Sequence, residues 1–203
     1  MSNLPVRYEP IKFKQLLIPS MAMLIVAFVL LFISGYHLSW FGGFTASTIL
    51  ISMIVVLVTY VLIYWLTSHS WLNTREMREL NTQLVALFKN LTWPQIIVLS
   101  LCAGIGEELL FRGLLQTWLV AKLNPFWGVI GASMIFGLMH YLNATYIILT
   151  FVLGCLFGIA YYLTDSLLLV MTAHAVYDVI AFGVIVKYSH LLKTESPDAS
   201  FDA

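Results

Sequence analysis

The sequence predicts an all-α fold: a polytopic transmembrane helical bundle of about six spans with one amphipathic surface helix. Composition, apolar run length and the placement of a few charges lead there. Of 203 residues, 61% are hydrophobic and 10% are charged. A typical soluble domain is about 45–50% apolar and about 25% charged. Several apolar runs reach or approach the roughly 18 residues that mark a candidate span. In lipid no water satisfies backbone N–H and C=O groups, so each run must be helical. Ten basic residues balance ten acidic ones, leaving no basic surface for nucleic acid, and no nucleic-acid motif occurs. Cys102 and Cys155 both fall inside apolar runs, which argues against a structural disulfide.

The spans read as about 15–34, 46–67, 94–121, 126–142, 144–163 and 166–187. The first follows Arg7, Lys12 and Lys14 as a signal peptide would. It exceeds the usual h-region of about 7–15 residues and lacks an A-x-A-like site, so it is expected to stay as an uncleaved span. Ser34-Gly35-Tyr36-His37, Gly42-Gly43, Asn124-Pro125, Asn143 and Thr164-Asp165-Ser166 punctuate the runs. Between the second and third spans, Met77, Leu80, Leu84, Leu87 and Leu91 recur at steps of three or four, with Asn73 and Glu76 placed as a capping box. That pattern fits an amphipathic helix on the membrane surface, or one packed on a partner protein.

The expected organisation is residues 1–92 as two spans plus the amphipathic helix, 93–190 as a four-span catalytic core, and 191–203 as a disordered tail. With the N-terminus in the cytoplasm, Arg7, Lys12, Lys14, Arg75, Arg78, Lys89, Lys187 and Lys193 lie on that side and Lys122 alone lies opposite. Both termini are therefore expected in the cytoplasm, in a cell membrane, with an even number of crossings.

Charges at membrane depth are costly and usually functional. Glu107, Glu108 and Arg112 fall in the third span and Asp178 in the sixth, with His140 late in the fourth and His174 in the sixth. His37, His69 and His190 fall in loops or at span ends and read as interfacial residues. Glu108 and Arg112 are four apart with the acid first, the better order for an intrahelical pair. Glu107 points about 100° away without a partner at that spacing, free to act as a general base. The bland alternative is that all three simply glue helices together. Gly104, Gly106 and Gly113 would let neighbouring backbones approach this segment. Phe136 and His140 share a helix face, as do His174 and Asp178, and Asp178 one turn on can fix the tautomer of His174. At about 1.5 Å per residue, the Glu, both His and the Asp fall near mid-membrane or somewhat toward the cytoplasm, in reach of one cavity. Such a set can activate water and stabilise an oxyanion. Glu107, His140 and His174 can also ligate a divalent metal such as zinc, although H-E-x-x-H is absent. No G-x-S-x-G supports a serine hydrolase, and Cys102 reads as packing.

Glu107-Glu108-x-x-x-Arg112, Phe136-x-x-x-His140 and His174-x-x-x-Asp178, in that order, resemble the type II CAAX prenyl endopeptidase family, also called CPBP or Abi, over about residues 94–187. The resemblance implies an intramembrane endopeptidase with an all-helical core and a cavity reached from the cytoplasmic side. It implies that Glu107 activates water with assistance from His140, and that His174 and the residue four later stabilise the oxyanion. That later residue is often Asn in eukaryotic members. Here it is Asp178, which must be protonated, orient His174 or bind a metal. The family has been described both as metalloproteases and as glutamate-type proteases. The compact form resembles the bacterial branch, linked to peptide processing and bacteriocin self-immunity. The expected partners are a peptide or protein substrate, reached from the membrane or cytoplasmic side, and the lipid bilayer. Two further readings stand beside the peptidase: a non-catalytic scaffold or immunity factor, and a proton-coupled transporter, since buried Glu, His and Asp also mark ion paths. Gly154-x-x-x-Gly158 is expected to serve helix packing within or between chains.

Overall fold

A computed structural model describes residues 9–42, 45–68 and 74–194. Arg7, Gly43, His69, Asn73 and the tail from residue 195 lie outside the described residues. The described residues form helices joined by short turns, with no strand among them. The first two helices are α1 (Phe13–Ser34) and α2 (Ala46–Ser68). The amphipathic α3 (Arg75–Phe88) follows, and α4 (Trp93–Glu108) runs through a π-helical stretch, Leu109–Gln116, into α5 (Thr117–Lys122). Then come α6 (Pro125–Met139), α7 (Ala144–Thr164) and α8 (Leu167–Lys187). By length and composition α1, α7 and α8 can each cross a membrane, and α6 is a shorter apolar helix.

Local chemistry sets the boundaries. Gly35 ends α1 at φ 65°, a left-handed conformation that glycine adopts without steric cost. Asn124, Asn143 and Ser166 cap α6, α7 and α8, each accepting a bond from a backbone N–H three residues on. The third span continues as expected but widens into i→i+5 turns just after Glu108. The fourth is shorter than the expected 126–142, because α6 ends at Met139 where the His140 N–H bonds to Gly137 O instead of Phe136 O.

The core sits where α4 packs on α8 and α1, and α6 on α7. Gly104 makes the first contact close: a Cβ there would lie 2.8 Å from the backbone N of Ala175. Gly106 similarly faces Leu24 of α1. Gly154 and Gly158 meet Ser133, Phe136, Gln116 and Val129 of the same chain, so this pair serves packing within the chain. The apolar face of α3 also finds its partner internally. Met77, Leu80 and Leu84 are buried with Tyr146, Leu149 and Ile185 packed against them. Thr74 caps this helix through Met77 N–H, one position after the expected Asn73. Asn81, on the buried side, donates to Lys193 O, so the chain is still held to α3 at that point of the tail.

Candidate active site

The π-helical stretch carries Arg112 and opens directly after the two glutamates. Glu108 is fully buried, and its Oε1 accepts from Arg112 Nη1 at 2.9 Å. Arg112 extends the link by donating from Nη2 to Gly154 O on α7, while its guanidinium lies 4.7 Å from the Phe136 ring centroid. One turn on, Gln116 Nε2 donates to Gly158 O. Carbonyl oxygens have a second lone pair, so both glycine carbonyls accept these bonds without leaving their helix. Thr117 Oγ1 donates to the carbonyl of Arg112.

The same Glu108 Oε1 also lies 2.7 Å from Nδ1 of His174. A carboxylate accepts, so Nδ1 carries the proton and Nε2 turns the other way. Spacing along the chain assigns the orienting role to Asp178, but its Oδ2 is 3.7 Å from Nε2, beyond hydrogen-bonding distance. Glu108 therefore both neutralises Arg112 and fixes His174. The second link joins residues 66 apart in the chain, and no local spacing signals it.

Phe136 and His140 are tied by a different device. Because α6 stops at Met139, Phe136 O loses its usual backbone partner, and the His140 ring takes that place through Nδ1 at 2.8 Å. The i, i+4 spacing thus lets a side chain cap its own helix end. Phe136 is buried, with ring centroids 4.4 Å from His140 and 5.1 Å from Phe111. His174 stacks on Phe157 at 5.2 Å.

Both histidines consequently direct Nε2 at one atom. Glu107 Oε2 lies 3.6 Å from Nε2 of His140 and 3.9 Å from Nε2 of His174, and it is buried without a hydrogen-bond partner. The structure brings Glu107, His140, His174 and Asp178 together, with Glu108, Arg112 and Phe136 behind them. Zinc held at about 2.0–2.2 Å keeps its ligand atoms roughly 3.3 Å apart. The separations here are wider, and no group of three His, Cys, Asp and Glu among the described residues is arranged to hold a metal ion. As arranged, the donor set does not fit such an ion.

Comparison with known proteins bears on this core. Residues 89–180 match the family model of the type II CAAX prenyl endopeptidase Rce1-like proteins. The core is similar to the Rce1-like family over these residues. The matched stretch contains both glutamates, Arg112, Phe136, both histidines and Asp178. A Bacillus subtilis (strain 168) protein, "Uncharacterized protein YpbD", is 29% identical over 162 residues, covering 78% of this chain and 74% of that protein. No solved structure matches the chain significantly. A CAAX-protease-like helical membrane protein accords with both the Rce1-like match and the long apolar helices.

Proposed function

We propose that this chain is an intramembrane endopeptidase that hydrolyses a peptide bond with a water activated at Glu107. The observation carrying this reading is the buried, unpartnered Glu107 Oε2 faced by Nε2 of both histidines at 3.6 and 3.9 Å. Polar gaps of that size suit a bridging water. With each Nδ1 committed elsewhere, Nε2 of His140 is free to accept from that water. As the water attacks the carbonyl carbon, Glu107 takes its proton and passes it to the leaving amine. One water is thus added across the C–N bond. A doubly protonated His174 donates Nε2–H to the oxyanion while its Nδ1–H stays on Glu108. Asp178 lies on the Nε2 side of that ring.

We assign the chemistry to residues 93–190, with six crossings and both termini in the cytoplasm. The length of α6 supports a site within the membrane. Fifteen residues span roughly 22 Å, less than the hydrocarbon thickness of about 30 Å. The helix therefore ends at membrane depth, where non-helical backbone is tolerated only against protein or a water-filled cavity. Asn143, in the turn after His140, donates to Glu76 O of α3, and Thr145 donates to the Glu76 carboxylate. A peptide or protein substrate would enter from this side.

Mass spectrometry of membranes holding wild type, Glu107→Ala or Glu107→Gln tests the reading. The expected result is a set of peptide products that disappears in both variants at unchanged protein level. Products that persist in both would overturn it.

A further inference from the structure

The apolar stripe of α3 holds one residue that its periodicity does not explain. Met77, Leu80 and Leu84 recur with the helical repeat and are buried, and Asn81 shares their face. Asn81 is 6% exposed, and an amide buried there is costly unless it is bonded. Its Nδ2 donates at 2.9 Å to the carbonyl oxygen of Lys193, 112 residues further on. That carbonyl belongs to the strap that follows α8, in which Ser189–Leu191 make one 3-10 turn before the chain reaches α3.

The strap walls a cavity of about 200 Å³ between α3, α7 and α8. Leu191, Leu192 and Lys193 line it beside Asn81, and Tyr60 of α2 contributes as well. Tyr146 and Tyr177 line it too. The ring of Tyr146 is 6.3 Å from that of His140, and Tyr177 immediately precedes Asp178. The cavity thus lies between the strap and the groups that surround Glu107.

We propose that residues 191–193 form a releasable lid over this cavity, latched by Asn81, whose opening governs how readily a peptide reaches Glu107. The effect on cleavage rests on the hydrolytic reading above, whereas the latch itself does not. The residue type at position 81 argues for release. A leucine there would continue the apolar stripe and hold α3 to the bundle with no need of the strap. The asparagine instead ties its own burial to a strap carbonyl. A neutral amide–carbonyl bond adds little net free energy, because water replaces it on opening. The strap can therefore leave without unfolding either helix. Leu191 is 65% exposed and the 3-10 turn is three residues long, so little packing opposes that movement. While the lid is shut, apparent affinity falls by the fraction of molecules that are open.

The first measurement reads the lid without hydrolysis. In the full chain in detergent, with Cys102→Ser and Cys155→Ser, Ala181→Cys places a thiol on the cavity wall. Asn81→Leu removes the latch and continues the apolar stripe, so the thermal midpoint should hold. A charged maleimide should then label the thiol about fivefold faster, the shift given by one net hydrogen bond. Leu192→Gly loosens the strap from its own side and should also speed labelling. If Asn81→Leu does not fold, Leu192→Gly decides alone. Unchanged labelling in either folded variant overturns the lid. Faster labelling with a lowered midpoint in Asn81→Leu makes Asn81 a packing residue and overturns it as well. The second measurement uses a quenched-fluorescent peptide built on a bond cut in the membrane experiment above. Asn81→Leu should lower KM about fivefold and leave kcat within about twofold. Faster labelling with KM unchanged overturns the control of access. Faster labelling in a chain that cleaves no peptide, wild type included, sinks the hydrolytic reading and leaves the lid standing.

Discussion

Glu108 takes on two partners with one oxygen, and this concentrates risk in a single residue. Its Oε1 accepts from Arg112 at 2.9 Å and from His174 at 2.7 Å, all three side chains being buried. Removing one member of a buried pair leaves the other charge uncompensated, at a cost of about 3–5 kcal/mol. Glu108→Ala and Arg112→Ala should each lower the folded yield and the thermal midpoint in detergent, whereas Glu107→Gln should leave both near wild type. A normal midpoint for the first two would remove the division between the glutamates. Asp178 gives a sharper chemical prediction. It sits 3.7 Å from Nε2 of His174, so an amide there can replace a protonated carboxyl as donor to the oxyanion. Asp178→Asn should keep kcat within about tenfold, while Asp178→Leu should lose roughly 100-fold, the scale of one missing oxyanion donor. The Glu108–Arg112 pair was legible in the sequence because an i, i+4 spacing states a contact outright. The Glu108–His174 bond was not, since it depends on how α4 and α8 cross, and spacing within α8 alone points to Asp178 for the orienting role.

At the scale of the helices, glycine decides how closely the site's walls approach. A Cβ at position 104 would meet Ala175 backbone N at 2.8 Å and Met171 O at 2.9 Å, groups that cannot rotate away. At position 158 the nearest atom is Gln116 Oε1, the end of a flexible side chain. Gly104→Ala should therefore destabilise by about 1–3 kcal/mol, the usual cost of overpacking, and Gly158→Ala by less; thermal midpoints of the two variants in the same detergent check the order. Apolar runs and capping residues made the helices themselves readable, from Asn124-Pro125 to Ser166. Two features escaped. The π-helical stretch at Leu109–Gln116 follows from tertiary bonds of Arg112 and Gln116 to α7, which no periodicity encodes. The end of α6 at Met139 hides inside an apolar run, where only the His140 ring bond to Phe136 O reveals it.

For the molecule as a whole, charge asymmetry supplies a definite expectation of its orientation in the bilayer. With six crossings, Lys12, Lys14, Arg75, Arg78, Lys89, Lys187 and Lys193 share one face and Lys122 holds the other. By the positive-inside rule the first group is expected on the cytoplasmic side. The internal packing agrees with this grouping: Ile11 N–H bonds to Leu87 O, Lys187 Nζ to Leu91 O, and Asn81 to Lys193 O. These bonds join the start of α1, the middle and C-terminal end of the α3 region and the end of α8, a grouping that an even number of crossings requires. Single cysteines introduced at Lys12 and Lys193 in a Cys102→Ser, Cys155→Ser background should resist a membrane-impermeant maleimide in intact cells and react after permeabilisation. A cysteine at Lys122 should react in both. Labelling of position 12 but not 193 in intact cells would require an odd number of crossings. That result would set Ile11 and Lys193, both bonded to α3, on opposite faces of the membrane, against the packing on which the shared face rests.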